Sequence, residues 1–143
     1  MSSRVAAFWV MGLAAAGLAA AVYLAVAHYT SPTVLACGSS GIVNCEKVTT
    51  SQQSSFIGIP VAVLGVAWFA GMLVISLPRL WNRPALRWAR LIGAAAGTVF
   101  VLWLIYAEIA VIGSICLWCT VVHACALGIS FVIVFEASRA PQP

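Results

Sequence analysis

Residues 101–131 read VLWLIYAEIAVIGSICLWCTVVHACALGISF. The run contains one acid, Glu108, one histidine, His123, and neither Lys nor Arg. Gly113 and Ser114 are its only interruption, and two such residues make a tight turn. The apolar segments on either side are therefore expected to be helices folded back on each other as an antiparallel hairpin. A hairpin this apolar belongs in a bilayer.

Working outward, four stretches approach or exceed the roughly 20 apolar residues that cross a membrane. They are Val5 to Ala27, Ile59 to Leu77 (opened by Pro60, well tolerated in a first helical turn), Leu91 to Ile112, and Ile115 to Phe135. The composition agrees: 64% of the 143 residues are hydrophobic and 7% charged, against roughly 25% charged in average globular chains. The expected fold class is an all-α integral membrane protein, a four-transmembrane-helix bundle forming one domain over residues 1–143. No repeat interrupts it, and only the short APQP tail is expected to fray. With three acids in the chain, no carboxylate pair, no Gly-rich phosphate loop and no basic run interleaved with aromatics, most acid/base and nucleic-acid functions are excluded.

The basic residues give an orientation. Arg79, Arg83, Arg87 and Arg90 lie between the second and third stretches, while Arg4 and Arg139 flank the outer ends of the first and fourth. With four spans these places share one face, cytoplasmic by the positive-inside rule. Both termini are then cytoplasmic, in the inner (plasma) membrane, and only Lys47 is on the other side. Ala25 and Ala27 form an A-x-A pattern, but the preceding apolar run is too long for a signal peptide, so the first helix is expected to stay uncleaved.

The same topology places the loop from His28 to Gly58, with Cys37 and Cys45, on the exterior, together with Cys116 and Cys119 at the outer end of the fourth helix. Disulfides form and persist on that side. Ser114 is expected to cap the fourth helix, with Cys116 in its first turn, where the helix dipole favours a thiolate. Cys116, Cys119 and His123 fall at i, i+3 and i+7, one stripe descending into the membrane. Half a zinc site is an alternative, but a closed site needs four ligands, so no metal is expected. Cys37 and Cys45 enclose seven residues, GSSGIVN. Their pairing reads either as a structural staple contributing roughly 2–3 kcal/mol or as a mobile shuttle exchanging with the helix pair. Flexibility favours the shuttle. Cys125, midway along the fourth helix, receives no role.

These residues resemble the vitamin K epoxide reductase family in its compact bacterial form. The resemblance rests on Cys37 and Cys45, on CEKVTTSQQSSFIGIPVAVLG leading into the second helix, on CLWC opening the fourth, and on the loop pair preceding the Cys-x-x-Cys pair. It implies a bundle enclosing a quinone of menaquinone, ubiquinone or vitamin K type. It also implies a path from a separate thioredoxin-like (DsbA-like) protein through the loop cysteines, then Cys116 and Cys119, to that quinone. By the family pattern Cys119 lies beside the quinone, and His123 occupies the place of a hydrogen-bonding residue. Phe56 and Ser55, with Ser54, lie near the expected quinone mouth. Glu108 is an intramembrane acid that can be functional or can reach the outer interface. Trp68, Trp103 and Trp118 read as packing or belt residues. The implied activity is a quinone-dependent thiol–disulfide oxidoreductase supporting disulfide formation outside the cytoplasm. The rival is a four-helix transporter or scaffold whose exterior disulfides are only structural.

Overall fold

A computed structural model describes residues 2–38 and 40–139; the APQP tail lies outside them. The first long helix, α1, is Ser3–Tyr29, with the Ser2 hydroxyl accepting the Val5 N–H at its start. Its buried stripe is Ala6, Val10, Ala14, Gly17, Ala21 and Leu24, mostly small residues that let a neighbouring helix approach closely. Gly17 shows the fit, because a Cβ there would run into the Phe69 ring.

A cap of short elements follows α1: a 3-10 turn Pro32–Val34, helix α2 (Cys45–Thr49), a second 3-10 turn Gln52–Ser54, and a two-stranded hairpin of β1 (Ser55–Phe56) and β2 (Ile59–Pro60). Then come α3 (Val61–Ile75), α4 (Pro84–Tyr106) continuing as a π-helical segment Ala107–Ile112, and α5 (Leu117–Arg139). α1, α5 and the extended α4 are long and apolar enough to cross a membrane. α3 is apolar but has 15 residues, about 22 Å at 1.5 Å per residue. The protein is a bundle of apolar helices of the multi-pass membrane type.

Two boundaries differ from the sequence reading. Ile59 and Pro60 pair with Ser55 and Phe56 in the hairpin rather than opening α3, and Ser76 caps its other end, so α3 is shorter than the apolar run. α4 begins seven residues before Leu91, with Pro84 at its first position, where the fixed proline φ suits a helix start. Hydropathy had ended the span at the arginines.

α1 packs closely against both α3 and α5, and α4 closes the ring through α5. Ser130 of α5 donates to the Ala94 carbonyl of α4 (3.1 Å), and Trp68 of α3 donates to the Gly93 carbonyl (3.0 Å). At the end of the bundle where α3 gives way to α4, Arg90 is buried. Its guanidinium donates to the Ile75 carbonyl (2.9 Å) and the Trp81 carbonyl (2.6 Å) and lies 4.3 Å from the Trp81 ring centroid. Beyond any topological role, it ties off the end of α3.

Candidate functional site

The cap is fastened at two places. The Tyr23 hydroxyl of α1 donates to the Val34 carbonyl (2.8 Å) and accepts the Ala36 N–H (3.1 Å). Val43 forms a parallel bridge with Ile115: the Ile115 N–H donates to the Ile42 carbonyl (2.8 Å), and the Asn44 N–H donates to the Ile115 carbonyl (3.1 Å). The stretch expected to be a flexible loop is thus bound, at residues 42–44, to the residue next to Cys116. The Asn44 side chain accepts the Lys47 N–H (2.9 Å), capping α2 just as Cys45 enters it.

Cys37 and Cys45 form a disulfide, whereas Cys116, Cys119 and Cys125 are free thiols. Cys45 and Cys116 are both buried in one apolar cluster with Leu24, Ala27, Leu35 and Val48, against which Cys37 and Cys119 pack. Cys37 is only half-buried. The four cysteines named from the sequence are therefore neighbours. Cys125 belongs to the separate cluster in the body of the bundle, with Val10, Phe69 and Ile129.

Cys116, rather than Ser114, occupies the position before the first residue of α5. Its Sγ accepts the Cys119 N–H (3.2 Å) and its carbonyl accepts the Thr120 N–H (2.9 Å). The sulfur stands where an N-cap oxygen usually does. Ser114 is buried and gives its N–H to the Glu108 carbonyl (3.1 Å).

Cys119 opens onto a half-open cavity of about 420 Å³ lined by α1, α3, α4, α5 and the cap, within the usual range for small-molecule sites. Its walls are largely apolar, with Phe56, Trp68, Phe100, Leu104 and Val122 among them, and the buried His123 and Glu108 are among its polar groups. Phe56 meets Phe100 and Trp103 edge-on, with centroids at 5.8 and 6.4 Å. Ser55 does not line the cavity; Ser51, Gln53 and Ser54 do. Ser55 is paired with Pro60 in the hairpin, and strand alternation turns it away from Phe56.

The sequence reading gave no role to His28, which also lines the cavity, and left Glu108 open between function and the interface. Glu108 is 6% exposed, inside the protein rather than at its surface. A signal existed: the buried α4 residues Ala94, Gly97 and Val101 continue at the same spacing to Glu108, seven residues beyond Val101. An apolar cavity with few polar groups suits a lipid-soluble acceptor, and the residues present fit a quinone. The family model for the vitamin K epoxide reductase family matches residues 8–134. With paired cysteines before and at the start of α5, and a membrane bundle around them, the chain belongs to the vitamin K epoxide reductase family, membrane thiol–disulfide oxidoreductases.

Proposed function

We propose that the chain passes electrons from a soluble thioredoxin-like donor, through two cysteine pairs, to a membrane quinone, and so sustains disulfide formation outside the cytoplasm. The observation that carries this reading is the burial of Cys45 and Cys116 in one cluster, with Cys119 packed against it and opening on the cavity. Cys37, half-buried at the outer side, is the cysteine that meets the donor. Cys45, fully inside, exchanges with Cys116.

Each step moves two electrons. A donor dithiol is oxidised and the Cys37–Cys45 disulfide reduced. The loop dithiol is then reoxidised as a Cys116–Cys119 disulfide is reduced. That pair finally gives two electrons and two protons to the acceptor, re-forming its disulfide. A quinone supplies the two-electron, two-proton sink. On this reading His123 donates a hydrogen bond to a carbonyl oxygen of the ring, and Phe56 and Phe100 flank its face. The cap and the helices keep water from the exchanging sulfurs.

The membrane arrangement completes the reading. α3 crosses as a fourth span, short because the hairpin fills the outer boundary beside it. The arginine-bearing turn between α3 and α4 is cytoplasmic, and the cap faces outward. The whole chain acts as one membrane domain, with lipid around it.

The test is quinone reduction by purified protein in detergent, driven by a reduced thioredoxin-like donor, with Cys119→Ala alongside. Quinol formed by wild type and not by Cys119→Ala is the expected result. Donor thiols that stay reduced with both proteins would sink the oxidase reading and leave the cysteines as staples.

A further inference from the structure

Glu108 is the only acidic residue among those lining the cavity, and the electron path above does not use it. It sits in the π-helical segment that ends α4, a rare wide turn frequently found at functional sites. Both of its polar ends hold the turn carrying Cys116. Its carbonyl accepts the Ser114 N–H (3.1 Å), and its carboxylate Oε2 accepts the Cys116 N–H at 3.4 Å. The carboxylate therefore lies at the N-terminal end of α5, where a negative charge is favoured. A Cys116 thiolate occupies the same end.

Two anions side by side in a buried site repel each other, and such groups titrate as a pair. One negative charge shared between them is the favourable arrangement. Moving a proton from Cys116 Sγ to the Glu108 carboxylate keeps the net charge constant and keeps an anion at the helix end. We propose that Glu108 is the proton acceptor for Cys116, and so a catalytic residue of the thiol–disulfide step.

The step balances. When the α5 pair is oxidised, two S–H bonds break, one S–S bond forms, and two electrons and two protons leave. The proton from Cys116 goes to Glu108 and that from Cys119 directly into the cavity. Both end on the quinone oxygens and the carboxylate is regenerated. The other titratable groups at the cavity are His28 from α1 and Cys119 and His123 from α5. α3, the cap and the rest of α4 line the cavity with none, while Cys45 and Cys37 of the cap, thiols once the loop is reduced, pack in the cluster around Cys116. This assignment rests on the quinone reading for its acceptor, but the exchange of Cys116 can be followed without any quinone.

The test uses the reduced full-length protein in two reactions: with cystamine, a small disulfide, and with a short-chain ubiquinone. Formation of the Cys116–Cys119 link is read by mass spectrometry. Glu108→Gln keeps an oxygen for the Cys116 N–H but cannot take a proton. The variant should be slower by about 10²-fold at neutral pH in both reactions, its rate then rising about tenfold per pH unit, while Glu108→Asp keeps the wild-type pH profile. Glu108→Gln matching wild type in rate and pH profile would overturn the proposal and leave Glu108 as a clamp. A variant slow with the quinone yet normal with cystamine would overturn it too, placing Glu108 at the quinone. Wild type that exchanges with cystamine but reduces no quinone removes the quinone reading, and Glu108 is then judged on exchange alone. Should Glu108→Gln fail to fold, the wild-type cystamine rate in heavy water decides: slowing supports the proton transfer, and an unchanged rate overturns it.

Discussion

Replacing Arg90 with Met separates the topology signal that the sequence reading assigns to every arginine on that face from the capping of α3 that the structure gives to Arg90. Arg90→Met removes one positive charge and keeps most of the apolar stem. It also removes two donors to backbone carbonyls, at 2.9 and 2.6 Å, and a cation 4.3 Å from the Trp81 ring centroid. Charged hydrogen bonds contribute about 1.5–3 kcal/mol each, and a cation over an indole roughly 0.5–2 kcal/mol. The sum is an upper bound, because water at the membrane boundary can reach the freed carbonyls as the end of α3 loosens. A loss of about 2–4 kcal/mol is expected. Arg87→Met is the control, since Arg87 is exposed and makes one 3.3 Å bond to the Ala137 carbonyl. It carries the same charge on the same turn, and its loss should fall near ±0.5 kcal/mol. The assay is unfolding in mixed micelles titrated with sodium dodecyl sulfate, followed by far-ultraviolet circular dichroism. Equal stability of the two variants would refute the capping argument and reduce Arg90 to a topology signal.

Three further outcomes are expected. Gly97→Ala places a methyl 2.5 Å from Trp68 Cζ2, so it should destabilise by about 1–3 kcal/mol and raise the quinone KM, measured in the donor-driven assay. Cys37→Ser leaves Cys45 unpaired beside Cys116, and mild oxidation should trap a Cys45–Cys116 link in non-reduced digests. Cys45→Ser should trap no equivalent Cys37–Cys116 link. His123→Phe keeps the ring-shaped wall but deletes its polar atoms, and quinone KM should rise about tenfold, the equivalent of one hydrogen bond near 1.4 kcal/mol. An unchanged KM would place the ring elsewhere in the cavity.

Hydropathy located α1 and α5 because their apolar runs coincide with their helices. It located the ends of α3 and α4 less well. Pro60 is tolerated in a helix start, but here it pairs with Ser55 across a hairpin, a choice set by tertiary context. At α4 the proline signal at Pro84 was present, yet charge patterning drew the boundary at Leu91. The cysteine pairs and the His123 stripe were legible because spacing on a helix fixes a face. Which residue caps α5 was not, since Ser114 and Cys116 are both able to do so and the π-helical turn decides between them. Nor did composition distinguish Arg90 from its exposed neighbours, because burial of one arginine among four depends on where the Ile75 and Trp81 carbonyls end up.

The bridge between Val43 and Ile115 bears on how the chain is made. One of its strands is synthesised soon after α1, and the other only when α5 is about to emerge. Cys37 and Cys45, eight residues apart, are therefore present together well before Cys116 exists. In a nascent chain their nearest sulfur is each other, so the loop disulfide closes first by order of synthesis. The arrival of Ile115 then zips the finished loop against the turn that carries Cys116. Assembly order thus favours the correct outer pair and buries the inner thiols as soon as they are made.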